Sequence, residues 1–125
     1  MSKILENLKY AKSHEWVKVE NGKAYIGITD FAQSSLGSIV YVDGGEVDNE
    51  VTQGETFGAV ESIKAASDIL SPVSGTIIEV NEDVIDNPEL LNDDPYKNYI
   101  IVVKMSDESE LDNLLDAASY EKEAK

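Results

Sequence analysis

Gly54 and Gly75 stand at nearly equal distances from Lys64 and bracket two β-rich runs that converge on it. Upstream lies Glu55-Thr56-Phe57-Gly58-Ala59-Val60. Downstream lies Ile69-Leu70-Ser71-Pro72-Val73, then Ser74-Gly75 and Thr76-Ile77-Ile78-Glu79-Val80. Short apolar and β-branched runs bounded by Gly, Ser and Pro read as strands. Between them, Glu61-Ser62-Ile63-Lys64-Ala65-Ala66-Ser67-Asp68 carries one lysine among small residues. The arrangement predicts a lysine displayed at a hairpin tip, with roughly similar β halves on either side.

The flanking chain supports a β architecture. Trp16-Val17-Lys18-Val19-Glu20 and Lys23-Ala24-Tyr25-Ile26-Gly27-Ile28-Thr29 are joined by Asn21-Gly22, whose residues both tolerate positive φ. This predicts a hairpin with Val17 and Val19 on one face and Trp16, Lys18 and Glu20 on the other. Asp30, with Gln33 three places on, resembles a capping box, and Gly37 suits a left-handed helix end. Ser38 to Val42 reads as a strand and Glu46 to Gln53 as an acidic loop with a short Val-bearing strand. Asn87-Pro88 predicts a capped helical turn with proline at its first position, and Asp93-Asp94-Pro95-Tyr96 a turn. Tyr99 to Met105 is a strongly apolar strand. A last helix is predicted over about 107–119, capped by Asp107 with Glu110 and burying Leu111, Leu114, Leu115 and Ala118. The tail 120–125 is polar and expected to fray. Many short strands with small peripheral helices indicate a mainly β barrel or sandwich, and 125 residues without a linker indicate one domain over 1–125.

Composition narrows the functions. The chain has no cysteine, so disulfides, thiolate nucleophiles and zinc–thiolate sites are out. Its formal charge is −15 and its ten basic residues are all lysines, a poor basis for binding nucleic acid or anionic lipid. Partners with basic docking faces are expected instead. No apolar run approaches the roughly 18–20 residues that span a bilayer, and Met1 to Glu6 has no apolar signal core. A cytoplasmic protein, or the mature form of a mitochondrial matrix one, is the expectation; secretion is not.

Catalytic apparatus is sparse. His14 is the only histidine, so a two-histidine metal site is impossible. It leaves room for a Ser-His-Asp arrangement, but no serine stands in a Gly-x-Ser-x-Gly elbow. Twenty-five carboxylates pair by chance, and no glycine-rich phosphate loop follows a strand. For Lys64 two readings stand: an ordinary solvated lysine, or an amine displayed for amide formation with a carboxylate cofactor. Ser62, Ala65, Ala66 and Ser67 leave steric room for a visiting ligase.

Glu61-Ser62-Ile63-Lys64-Ala65-Ala66-Ser67-Asp68, with Ser71-Pro72-Val73-Ser74-Gly75, resembles the lipoyl-attachment motif of the glycine cleavage H-protein family. Ser13-His14-Glu15-Trp16-Val17, Gly27-Ile28-Thr29-Asp30, Ala32-Gln33, Leu36-Gly37, Glu79-Val80-Asn81, Pro88-Glu89-Leu90-Leu91-Asn92 and Asp94-Pro95-Tyr96 extend the likeness over nearly the whole chain. The resemblance implies a barrel-sandwich hybrid of two antiparallel sheets, as in lipoyl and biotinyl carriers. It implies lipoic acid in amide linkage on Lys64, with Glu61, Ser62 and Ala65 as candidates for recognition by a lipoate ligase or a lipoyl/octanoyl transferase. The arm would carry an aminomethyl group from glycine decarboxylase to aminomethyltransferase and be reoxidised by dihydrolipoamide dehydrogenase. Ser13, Glu15 and Asp68 are implied as the cleft residues that hold the cationic amine. The chain would then be a shuttle rather than an enzyme.

An H-protein-like lipoate relay, donating the cofactor to other lipoyl-dependent enzymes, shares the same lysine and fold. Biotin carriage fits less well, because Ile63 and Ala65 replace the methionines favoured beside a biotinyl lysine. Three departures from the family pattern touch the mounting. Asp43-Gly44-Gly45-Glu46-Val47 stands where Leu-Pro is usual, which predicts a more flexible loop. Tyr96-Lys97-Asn98-Tyr99 is one residue short with Tyr99 in place of tryptophan, and Ser35 stands where some members have histidine near the arm.

Overall fold

The computed structural model describes residues 3–124. In chain order the elements are β1 (Lys9–Tyr10), β2 (Glu15–Glu20), β3 (Lys23–Ile28), α1 (Asp30–Leu36), β4 (Ile39–Asp43), β5 (Glu50–Val51), β6 (Thr56–Ser62) and β7 (Ala66–Leu70). There follow β8 (Gly75–Val80), α2 (Glu82–Asp86), α3 (Leu90–Asp93), β9 (Ile101–Met105), a 3-10 turn at Glu108–Asn113 and α4 (Ala117–Glu123). Six strands form an antiparallel sheet in the order β1-β2-β3-β9-β8-β5, and three form a second in the order β4-β6-β7. This is the expected two-sheet hybrid, with the sheets not joined into a closed barrel among the described residues.

Local chemistry accounts for most of the elements. Asn21 and Gly22 both take positive φ, 51° and 79°, so the β2–β3 turn twists with its strands. Strand β9 lies between β3 and β8 and is covered on both faces, which is why Ile101, Val102 and Val103 are consecutively apolar and buried. On β2 the expected alternation meets an uneven core. Trp16 and Val17 are buried on opposite faces, whereas Val19, further along, is exposed. The Trp16 ring lies flat on its cross-strand partner Gly27, where any Cβ would come within 2.7 Å of the indole.

Between the sheets, Ala24, Ile26, Ile28, Ile77, Ile101 and Val103 pack against Ile39, Val42, Val60 and Ile69. A second cluster of Leu8, Tyr10, Trp16 and Tyr120 closes the outer side of β1 and β2.

Helix ends depart from expectation in physically readable ways. Thr29, not Asp30, caps α1, its hydroxyl accepting from the Ala32 N–H at 3.3 Å. Asp30 accepts instead from the Gln33 amide at 2.7 Å. Gly37 has φ 81° but ψ −150°, so it leaves α1 in a glycine-only conformation other than the left-handed helical one. The turn at Pro88 precedes α3 rather than forming its first position, and Glu89 occupies the N-cap without a side-chain bond. Strand β1 and helix α2 lay outside the sequence expectations.

The C-terminal helix is present but displaced. Asp107 caps as expected, yet the segment it starts is a 3-10 turn that ends where Leu114 becomes extended. Leu115 pairs with Tyr10 by backbone hydrogen bonds of 2.8 Å in both directions, which breaks the predicted helix over 107–119. Glu110 does not close a capping box. Its carboxylate accepts from the Ser74 N–H and hydroxyl, each at 2.7 Å.

The tail expected to fray begins inside α4, and Tyr120 is completely buried there; Lys125 lies outside the described residues. Its ring stacks on Tyr10 at 4.5 Å, and its hydroxyl lies 2.7 Å from both Thr29 Oγ1 and His14 Nδ1. Tyr120→Phe is therefore expected to cost about 1–3 kcal/mol through unpaired buried groups, and Tyr120→Ala about 3–5 kcal/mol by adding a cavity. Urea unfolding measures both; a frayed tail would leave the midpoint unchanged.

Candidate functional site

Strands β6 and β7 pair from Thr56↔Leu70 to Glu61↔Ala66, leaving Ile63, Lys64 and Ala65 as the tip. Ser62 builds the turn. Its N–H donates to the Ala65 carbonyl at 2.7 Å, and its hydroxyl accepts from the N–H groups of Lys64 and Ala65 at 3.3 and 3.1 Å. Ser62 is therefore buried and committed to the turn, whereas Glu61, Lys64 and Ala65 are exposed. The Ile63 N–H donates to the Ser38 carbonyl at 3.1 Å, which pins the tip to the junction of α1 and β4. Asn92 of α3 clamps the same junction. It donates to the Gly37 carbonyl at 2.8 Å and accepts from the Ile39 N–H at 2.9 Å.

A cleft of about 220 Å³ opens beside this mount, lined by Ser13, His14, Phe31, Ala32, Ser35, Leu36 and Ser67. Helix α1 forms one wall and leads from Phe31 towards Gly37. A Cβ at Gly37 would stand 3.6 Å from Lys64 Cε, so the far end of the lysine side chain lies beside the exit of α1, one residue past the cleft-lining Leu36.

The three residues offered for the amine separate in space. Ser13 lines the cleft. Glu15 is only 2 % exposed and stands behind Ser13, accepting from its hydroxyl through one carboxylate oxygen. The other oxygen accepts from the Leu70 N–H of β7 at 3.1 Å. Asp68 is exposed and does not line the cleft. Its neighbour Ser67 does, because successive side chains of a strand point to opposite faces.

His14 is the cleft residue that sequence reasoning considered only for metals and nucleophiles. It holds φ 76° and packs its ring on Phe31 at 4.6 Å. The fully buried Thr29 hydroxyl has no acceptor other than Tyr120 among its contacts, so it donates to the phenol oxygen. The Tyr120 hydrogen then goes to His14 Nδ1, which leaves the imidazole proton on Nε2. Burial pushes the His14 pKa down and the Tyr120 phenol up to about 12, so both are uncharged near neutrality. The signal for His14 was its place beside Ser13; its partner lies 106 residues away.

An exposed lysine thus stands on a hairpin of the smaller of two antiparallel sheets, near a half-apolar cleft. The family model for the glycine cleavage H-protein matches residues 8–125. The glycine cleavage system H protein of Clostridium botulinum (strain Loch Maree / Type A3) is 57 % identical over 120 residues, covering 96 % of this chain and 92 % of that one. That of Thermoanaerobacter sp. (strain X514) is 54 % identical over 119 residues, covering 95 % and 94 %. Among solved structures, the glycine cleavage system H protein of Mycobacterium marinum superposes with a TM-score of 0.87 at 34 % identity, covering 95 % and 97 %. The chain belongs to the glycine cleavage H-protein family.

Burial raises the Glu15 pKa above its unfolded value, with the bonds from Ser13 and Leu70 opposing the shift. Between the unfolded and folded values the folded chain holds a proton that the unfolded chain has released. The contribution of Glu15 to stability is therefore full below the ordinary glutamate range and lost as pH rises through the folded value. Glu15→Gln keeps an acceptor for Leu70 and removes this ionisation. Its stability relative to the parent chain is expected to improve as pH rises from the ordinary glutamate range through the raised value of the folded chain, measured by urea unfolding at each pH. A flat difference would mean that Glu15 does not titrate on folding.

Proposed function

We propose that this chain is the lipoyl carrier of glycine cleavage, with lipoic acid in amide linkage on Lys64. The observation that carries the reading is the placement of Lys64, exposed on a hydrogen-bonded turn whose lysine stem lies beside the exit of the cleft-lining helix α1. The residues fit the group. Ala65 and Ala66 leave the amine open to a lipoate ligase or a lipoyl/octanoyl transferase, and Phe31, Ala32 and Leu36 offer the attached chain an apolar wall. When bound, the dithiolane supplies the redox and carrier chemistry, taking an aminomethyl group from glycine decarboxylase to aminomethyltransferase before dihydrolipoamide dehydrogenase reoxidises it.

The protein's own part is positional. The turn made by Ser62 sets the direction of the lysine, and the bond from Ile63 to Ser38 fixes the tip against α1. Ser13 offers its hydroxyl oxygen to the cleft, with the Glu15 carboxylate behind it. A carboxylate shielded from water stabilises a nearby ammonium more than an exposed one does. Asp68, on the other side of β7, is exposed and does not line the cleft. No catalytic step is assigned to the chain itself.

Expression in lipoate-replete bacteria tests the attachment. The parent chain is expected to gain the mass of one lipoyl group on Lys64, and Lys64→Arg none, since a guanidinium does not form this amide. Loading by glycine decarboxylase should be lost with it. An unmodified Lys64 in such cells would sink the reading.

A further inference from the structure

His14 is fixed from three sides. Its backbone takes φ 76°, a conformation that residues with a Cβ seldom adopt. Two hydrogen bonds of 3.0 Å hold it there, from the His14 N–H to the Ala11 carbonyl and from the Thr29 N–H to the His14 carbonyl. The ring lies on Phe31 of the cleft wall, and Nδ1 meets the Tyr120 hydroxyl. Tyr120 also reaches Thr29, the N-cap of α1. One phenol of the C-terminal helix therefore ties the start of the cleft-lining helix to the loop that carries Ser13 and His14.

The hydrogen bonds in this chain have a direction. The Ala32 N–H donates to Thr29 Oγ1, Thr29 to the Tyr120 oxygen, and Tyr120 to His14 Nδ1. A proton on Nδ1 would turn the phenol hydrogen back on Thr29, whose own hydrogen would then be stranded in a fully buried site. The chain thus opposes an imidazolium. Charged neighbours pull the other way. Glu15 follows His14 in sequence, Asp30 starts α1 and Glu123 lies on α4, against the exposed Lys12 of the loop. Asp30 is engaged by the Gln33 amide and the Lys3 N–H. Strand β7 presents the neutral Ser67 to the cleft and turns Asp68 away. Burial outweighs Glu123, and the His14 pKa is lowered. The lysine mount and the apolar wall need none of this.

We propose that Tyr120 is a positioning residue for the carried group: acting through His14, it keeps that side of the cleft uncharged, so that the cleft admits a cationic amine beside Ser13 and Glu15. The inference rests on the reading of Lys64 as the attachment point. An imidazolium next to Ser13 would share the cleft with the ammonium, and like charges in a partly buried site repel far more than in water. An uncharged ring leaves the pull of Glu15 unopposed. The C-terminal helix thereby takes part in selecting the cargo, from 106 residues away and without lining the cleft.

His14 is the only histidine, so nitrogen NMR follows its ring without ambiguity. In the unlipoylated full chain, the parent is expected to show the Nε2–H tautomer and to titrate below the ordinary histidine range. Tyr120→Phe keeps the ring stacked on Tyr10, but should mix the tautomers and move the titration up towards that range. Thr29→Ser, which keeps the hydroxyl, should match the parent. The second measurement uses the lipoylated chain loaded with an aminomethyl group, whose loss is read as the ammonia and formaldehyde that water releases from the thioether. Release should quicken about tenfold as pH falls through the His14 titration, and at higher pH in Tyr120→Phe. His14→Asn, which tolerates positive φ, should lose this step. A Tyr120→Phe titration that stays put or moves down would overturn the proposal, since the phenol would then not be opposing the imidazolium. Release without a step at the His14 titration would overturn the cargo role. A parent chain that takes no lipoyl group at Lys64 would instead remove the attachment reading and the cargo role with it, while the tautomer and titration results would stand.

Discussion

The buried carboxylate of Glu15 joins the parts of this molecule that matter most. It belongs to a strand of the larger sheet, yet one oxygen accepts from Leu70 at the foot of the lysyl hairpin in the smaller sheet. The other oxygen takes the hydroxyl of Ser13, a cleft residue. One side chain thus fixes three things: the approach of the two sheets, the otherwise unpaired N–H of an edge strand, and the orientation of a polar group at the cleft. Carrying a carboxylate into a site only 2 % exposed has a desolvation cost. Its hydrogen bonds offset part of that cost, and the raised pKa is what remains.

A single side chain can set this geometry because its surroundings are over-determined. Asn92 ties the exit of α1 to the entry of β4, and Ile63 hangs the tip from the same place. On the other side, Tyr120 closes a chain of hydroxyls from Thr29 to His14. The C-terminal helix therefore acts on the cleft without lining it. It fixes the tautomer of the one histidine that does.

Features that depend on neighbours in sequence were legible in advance. The Asn21-Gly22 hairpin, the lysyl tip and the apolar β9 follow from turn chemistry and periodicity, which act over a few residues. The two-sheet class followed from the spacing of short strands, and the family likeness rested on ordered motifs. Long-range pairing was not legible. Leu115 leaves the helical pattern because Tyr10 offers it a backbone partner, and Tyr120 looks like tail until Tyr10 is known to stack on it. Asp68 is the instructive case at the site. Ile69 is apolar, so alternation along β7 puts Ser67 on the covered side and Asp68 on the outer one.

The fixed relation between Lys64 and the cleft has a consequence for any group the lysine bears. Such a group meets the cleft as part of the same molecule, at an effective concentration that a short tether places in the millimolar range. A cleft that binds with only millimolar affinity is then occupied about half the time. For the carrier role proposed above, weak binding is the useful condition, because a tightly held group would not leave for a partner's active site. A shallow, half-apolar hollow of this kind is suited to frequent visits and frequent departures.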